Sequence, residues 1–413
     1  MSVIGRAIAH GAAACLAVAG LAACGADDST DEAVVDWFVV PGRGDQAALA
    51  DTCADASGGA YTVRLHQLPA DQDDRHTELV RRLSGANSSV DVVSLDTQLI
   101  AEMAGAGFLA PVSSSQQQTW SEGVAPGALA ASTREGALVA APWWFDPQLL
   151  WFRGLTAERA GLDITKPITW DDLIAGASRL GVSIQIDDVD GTGMSEWVAG
   201  LVAAHEGTLV TGSDGSTAVT LDSDAGRGAA SVIEFYRDSS VGPGPQPDAT
   251  TRFAGAGGGF LLARSSALSD AAMQIIAPEL GATAYPVIAD RAAPPAAGIS
   301  LAVARDSDDA RASAALISCL VAPEQQRALV IESGHGAARP ATYDDKILQR
   351  DTPTAATVQT SLLTAQPVPP LPRWTAIRRA IDRTWRPIAE VSVSATPEES
   401  QREAASAISG ELP

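Results

Sequence analysis

Cationic side chains are scarce in this chain. Lysine and arginine together number 28 against 50 aspartates and glutamates, a formal net charge of −22 over 413 residues. A surface of that sign repels nucleic acid and anionic headgroups, so neither is an expected partner. Cysteine is thin too, at four residues, and no Cys/His set has metal-ligand spacing, so no metal and no cofactor is expected. The H-E-x-x-H, G-x-S-x-G and S-x-x-K patterns are absent, so no enzyme is signalled. Carboxylates are too abundant for any pair of them to mark a glycosidase. After the N-terminal segment there is no run of 18 or more uninterrupted apolar residues, and so no second helical membrane span.

What is present begins at the N-terminus. Arg6 precedes an apolar stretch, Ala7 to Ala23, broken only by His10 and glycines. That is a charged n-region followed by an h-region too short and small for a comfortable span. It ends in Leu21-Ala22-Ala23-Cys24-Gly25, which resembles a bacterial lipoprotein box. Residues 1–23 are therefore expected to be a signal peptide and Cys24 the lipidated first residue of an extracytoplasmic, membrane-anchored chain. Residues 24–33, CGADDSTDEA, read as a lipidated acidic tether. Cys15 leaves with the signal, and Cys53 and Cys319 remain, in an oxidising compartment. A disulfide between them is the economical reading, and two separate buried thiols the alternative. Closing so long a loop would stabilise the fold by about 4–5 kcal/mol in the chain-entropy model.

Hydrophobic residues are 46% of the chain and charged ones 19%, the balance of a globular protein with ample core. The residues Val34–Val40 predict a strand stopped by Pro41-Gly42. A helix is expected over Gln46–Cys53, a strand over Tyr61–Leu65 and a helix over Asp73–Leu83. A strand over Asp91–Asp96 follows, and Asp96 then opens a helix from Thr97 to Ala104 as its N-cap. This βαβα alternation implies a parallel sheet covered by helices. Two short strands, Leu138–Ala141 and Gln148–Phe152, are expected to bracket a tryptophan cluster at Pro142. Helices are expected at Trp170–Leu180 with Thr169 as cap, Ser195–His205, Asp309–Leu320 and Pro323–Ser333. A strand is placed at Ile299–Ala304, and a long helix from Thr375 to about Val391, with a last helix near Pro397.

Aromatic usage is skewed, with nine tryptophans against seven phenylalanines and four tyrosines. An indole offers a flat apolar face for stacking on a sugar ring, and it packs a core equally well. Trp143, Trp144 and Phe145 form one cluster, with Asp146 beside it. Trp374 follows Arg373 after the proline-rich stretch Gln366–Pro372. Asp96 has two readings, helix N-cap or ligand carboxylate at the carboxyl end of a parallel strand. Asp187-Asp188-Val189-Asp190-Gly191 lacks the spacing of a calcium loop and reads as a turn. His335, between Gly334 and Gly336, is expected to be a solvated loop side chain.

In their order and spacing, the lipobox, the Pro41-Gly42 strand end, Asp91–Asp96, Ala140-Ala141-Pro142 with Gln148–Phe152, Gly298–Ala304 and Glu332-Ser333-Gly334 through Pro340 resemble a known family. The chain is similar to family 1 extracellular solute-binding proteins of ATP-driven sugar importers, and within them to actinobacterial trehalose-binding lipoproteins. The cysteine pair fits those lipoproteins as well. The resemblance implies an α/β, two-lobe periplasmic-binding-protein-like (type II) fold with hinge crossings near Pro142, Gly298 and Pro340. It divides the chain into one lobe of 34–142 with 299–340 and another of 143–298 with 341–413. It implies sugar-hydroxyl binding at Asp96, a cleft residue at Asp146 where the lipoproteins have asparagine, an aromatic platform at Trp374 and a cleft-lining backbone at Gly298. Two departures stand out. Arg264 replaces a cleft tryptophan, and Val368 a sugar-binding arginine, with Arg373 nearby.

The function expected from these residues is capture of a sugar, a trehalose-like disaccharide, by a monomer that hands it to importer permease subunits. Asp96, Asp146, Asp248 and Arg264 are expected to meet hydroxyls and Trp143, Trp144 and Trp374 ring faces. The alternatives are a polyol, a peptide or a quaternary-ammonium osmolyte caged by Trp143, Trp144 and Asp146, and a lipoprotein glycosidase.

Overall fold

A computed structural model describes residues 33–42, 45–85, 89–188, 190–212 and 216–410. The signal segment, Cys24 and the tether lie outside them. Nine strands form the main sheet: β1 (Ala33–Val39), β2 (Tyr61–Gln67), β3 (Val92–Asp96), β4 (Ala141–Arg153), β5 (Ser183–Asp187), β6 (Pro245–Gln246), β7 (Gly258–Arg264), β8 (Leu280–Thr283) and β9 (Ala296–Val303). Their order is β6-β5-β7-β4-β9-β3-β1-β2, with β8 also on β4. β1 runs parallel to β2 and β3, and β5 parallel to β6 and β7. The expected βαβ units are there, with helices Gln46–Ala56 and Gln72–Leu83 as crossovers. Asp45 and Asp71 cap these helices by accepting from the N–H groups of Ala48 and Asp74.

β4 makes the architecture. Its first half, to Pro147, pairs antiparallel with β9, and its second half, from Gln148, with β7. β9 continues the ladder to β3. Two lobes therefore share two strands, in a mixed α/β fold. The sequence suggested two short strands here, and the structure has one of 13 residues. Pro142 falls at the second residue of β4 and Pro147 at its change of neighbour, where a missing N–H costs the ladder least.

Alternation along β4 divides the second lobe's core. Leu149 and Trp151 face a cluster with Phe253, Leu261 and Ala263, while Leu150 and Phe152 face Ile184, Ile186, Phe260 and Leu262. A strand buried on both faces reads as a continuous apolar run. The first lobe's core gathers Val35, Trp37, Leu95 and Leu301. All nine tryptophans are buried, Trp144 being the most accessible at 6%. Their number thus reflects packing first.

The helix expected from Thr375 to about Val391 is shorter than its pattern, Trp374–Thr384, because Pro387 cannot donate into a following turn and disfavours helix before itself. Pro323–Ser333 ends at Gly334 in the left-handed region, φ 74°, as its spacing predicts. Among the described residues no helix is long and apolar enough to cross a membrane.

Cys53 and Cys319 are bonded, with their Cα atoms 5.8 Å apart. They join helix Gln46–Ala56 to helix Ala310–Leu320 across 266 residues of sequence. Replacing both by serine is expected to lower unfolding stability by about 2–5 kcal/mol. An unchanged guanidinium midpoint for the double variant would contradict this.

Candidate functional site

Parallel strands leave their carboxyl ends on one side of each lobe, and there open α/β sheets bind ligands. In the first lobe these ends are Val40–Gly42, Ala70 and Asp96–Gln98. In the second they are Asp187, Asp190 and Arg264–Asp270. With the crossings at Trp144, Asp146 and Ala297–Ile299 they enclose a cavity of about 420 Å³. A larger cavity of about 820 Å³, beside Val368 and the 366–371 segment, is mostly apolar and lacks such convergence of polar groups. The smaller one is the better site.

Asp96 is not the N-cap of the next helix, which runs Ile100–Gly105. Its carboxylate instead takes a fork from Arg75, Nε to Oδ2 at 2.7 Å and Nη2 to Oδ1 at 3.0 Å. Arg75 is fixed in turn on the carbonyls of Pro69 and Ala70. A bidentate pair satisfies the carboxylate better than two backbone N–H groups of a short helix.

Asp146 is sealed in, 2% exposed. Ser265 Oγ donates to its Oδ1 at 2.8 Å, as does the N–H of Gly336, and His335 Nδ1 lies 2.7 Å from Oδ2. Burial alone would raise its pKa. The facing His335 and these donors outweigh burial and hold the carboxyl below the usual aspartate value. The His335 ring stacks on Trp144 at 4.3 Å with the planes 2° apart. His335 is thus no solvated loop residue, because the carboxylate and the indole lock it at the cavity wall.

Arg264 anchors the opposite wall. Its Nη1 donates to Asp190 Oδ2 at 2.9 Å and its Nη2 to Glu196 Oε1 at 2.7 Å. Burial pushes the carboxyl of Asp187 up to about 7, Arg264 works against that, and Asp190, Glu196 and Asp270 reinforce it. Asp187 closes β5, the N–H of Gly191 turns back onto the Asp188 carbonyl at 3.2 Å, and the Asp188 carboxylate accepts from the N–H of Gly193 at 2.6 Å.

Gly298 lies at the strand crossing, where an added Cβ would collide with the Trp144 carbonyl oxygen. Its own carbonyl accepts from the N–H of Thr97 at 3.0 Å.

Of the residues singled out in the sequence, Asp96, Trp144, Asp146, Arg264 and Gly298 line this cavity together. Four stand elsewhere. Trp143 packs into the first lobe's core, edge-on to Trp37 at 5.3 Å, at the point where the β4–β9 register slips by one residue. Asp248 pairs with Arg252 at 2.7 Å, on the surface. Arg373 lines a separate cavity with Glu102 and Arg134. Trp374 is buried behind the wall, its Nε1 donating to Gln98 Oε1 at 3.1 Å. Arg75 and Ser265 were not singled out, and Asp187, Asp190 and His335 were read as turn and loop residues, not as site residues. Position after a strand was the available signal for the two aspartates, and nothing local marks Arg75 or Ser265.

The lobes also touch beside the cleft. Asp73 receives Arg378 Nη2 at 2.8 Å and Arg379 Nη2 at 3.0 Å from helix Trp374–Thr384.

A family model described as bacterial extracellular solute-binding protein matches residues 48–356. Among solved structures, a maltose-bound MalE3 of T. maritima aligns over 92% of this chain and all of its own, at 22% identity and a TM-score of 0.72. The sugar-binding protein MalE of Xanthomonas citri aligns over 92% of this chain and 98% of its own, at 18% identity and 0.77. UgpB of Mycobacterium tuberculosis, solved with glycerophosphocholine, aligns over 92% of this chain and 99% of its own, at 18% and 0.74. At these identities the likeness is one of fold.

The Asp146 cluster carries a pH signature. A carboxyl whose pKa is lowered by folding adds stability above the unfolded value, near 4, and loses it as pH falls through the folded one. Asp146→Asn is therefore expected to cost about 1–3 kcal/mol at pH 7. The gap to the parent protein should shrink below about pH 4. Urea unfolding across that range checks it, and a gap independent of pH would refute the ionic account.

Proposed function

The chain belongs to the bacterial extracellular solute-binding proteins, and on that footing we propose that it captures a sugar or polyol in the cleft and delivers it to an ATP-driven importer. The reading includes an anchor: Cys24 carries lipid, and the mature chain works as a monomer on the outer face of the cell membrane. It also includes binding without turnover. Asp96, Asp146 and Asp190 are each committed to a cationic or N–H partner, which suits holding hydroxyls better than shuttling protons.

One observation carries the proposal. The cavity at the strand ends brings Asp96, Gln98, Asp187, Asp190, Arg264 and His335 together beside Trp144. Convergent polar groups next to an indole suit the hydroxyls and the C–H faces of a sugar or polyol. The maltose-bound and sugar-binding relatives point the same way. For a trehalose-like disaccharide the fit changes character. Arg264 stands where a stacking indole is expected, and His335 covers one face of Trp144. Hydrogen bonds would then dominate over stacking.

Closure enters through the contacts beside the cleft. A ligand's apparent affinity scales with the population of the closed form. Asp73→Ala removes the acceptor for two arginines without touching the cavity. It is expected to weaken binding about 3- to 10-fold, more at low salt than at high.

Titration calorimetry against neutral mono- and disaccharides and polyols tests the main reading. Micromolar binding that is lost in Trp144→Ala is expected. Silence across the panel from folded protein would end the sugar proposal, and hydrolysis of a glycoside would end the claim of binding without turnover.

A further inference from the structure

We propose that the natural ligand is a hydroxylated amine, an aminodeoxy sugar or amino polyol, and that its ammonium group docks on Asp187. This names the ligand class of the cleft just described and rests on that reading.

The argument begins with charge. Among the described residues lining the cavity, Arg264 is the only arginine or lysine on the second lobe's wall. Three carboxylates surround it: Asp187 at the end of β5, Asp190 in the following turn and Glu196 in helix Gly193–Ala204. The guanidinium spends its terminal nitrogens on Asp190 and Glu196, with Thr192 Oγ1 3.4 Å away. Arg75, across the cleft, is held by Asp96. His335 is held by Asp146. The Asp187 side chain forms no hydrogen bond or ion pair among the described residues, yet it lines the cavity. Among the described residues this wall therefore holds more negative than positive charge.

An unpaired carboxylate in a closing cleft is expensive. Either a proton or a ligand cation must compensate it. The proton is the resting solution, since the Asp187 carboxyl is pushed up to about 7, by burial first and then by Asp190, Glu196 and Asp270. An ammonium group would replace that proton.

The kind of cation follows from the aromatics. A quaternary ammonium wants ring faces around it. Trp143 is buried in the first lobe's core, and the His335 ring covers one face of Trp144. No aromatic cage stands at Asp187. What it offers is carboxylate oxygen, which suits the N–H donors of a primary or secondary amine. Gln98, Thr97 and Ser266 along the same cavity suit hydroxyls on the same molecule.

The pH slopes have opposite signs for the two ligand classes. A cation binds ionised Asp187, so its affinity rises as pH climbs through 7, with about half a proton released per ligand at pH 7. A neutral sugar gains most from the protonated carboxyl, which donates a hydrogen bond, so its affinity falls over the same range.

The test is titration calorimetry on the mature chain with matched pairs: 1-amino-1-deoxysorbitol against sorbitol, and 6-amino-6-deoxytrehalose against trehalose. Each is run at pH 5.5, 7 and 8 in buffers of different ionisation enthalpy. The expected result is at least a 10-fold preference for the amine at pH 8, fading by pH 5.5, with proton release near pH 7. In Asp187→Asn, checked for folding by circular dichroism, the amine-to-neutral ratio should fall to about one. Equal or tighter binding of the neutral partner at pH 8, or binding of a neutral sugar with no heat from either amine, overturns the inference and leaves the sugar reading standing. Silence from the amines and from the whole neutral panel overturns both.

Discussion

A carboxylate shut away from water must be paired, and in this molecule the pairing of Asp146 organises the crossing between lobes. Its three partners come from two places in the chain: Ser265 just after β7, and His335 and Gly336 just after helix Pro323–Ser333. Asp146 itself lies in β4, one residue before the proline at which that strand changes neighbours. One buried negative charge thus holds together the segments that must stay in register while the lobes adjust. The same contacts seat His335 on Trp144 and so finish one wall of the cleft. Loss of the charge would cost more than its hydrogen bonds, because each partner was placed by it.

Much of the first lobe was legible because its signals are local. β1, β2 and β3 are short runs of β-branched and aromatic residues ended by turn formers, and the intervening helices begin at acidic caps. Thr169 at the start of Trp170–Leu180 and Gly334 at the end of Pro323–Ser333 were legible for the same reason. β4 was not. With both faces buried it shows no apolar–polar alternation, and its two prolines imitate breaks. The ion pairs were not legible either. Arg75 meets Asp96 across 21 residues of sequence and His335 meets Asp146 across 189, and no spacing rule reaches that far.

The tryptophans show why composition misleads about a site. Their excess suggested stacking platforms, yet all nine are buried. Trp143 and Trp144 are neighbours at a bulge in β4, where their rings pack together at 4.6 Å against the first lobe's core, and of the two Trp144 alone also reaches the cleft. Trp374 contributes through its edge, as a donor to Gln98 behind the wall. In the cleft charged side chains share the lining with small apolar residues, and most of the aromatic mass packs the walls behind them.

The chain leaves the first lobe along β4 and comes back along β9, so that lobe is assembled from two pieces far apart in sequence. The bond between Cys53 and Cys319 sutures one piece to the other on the side away from the cleft's strand ends. That covalent tie opposes separation of the two pieces independently of the ladder between β3 and β9.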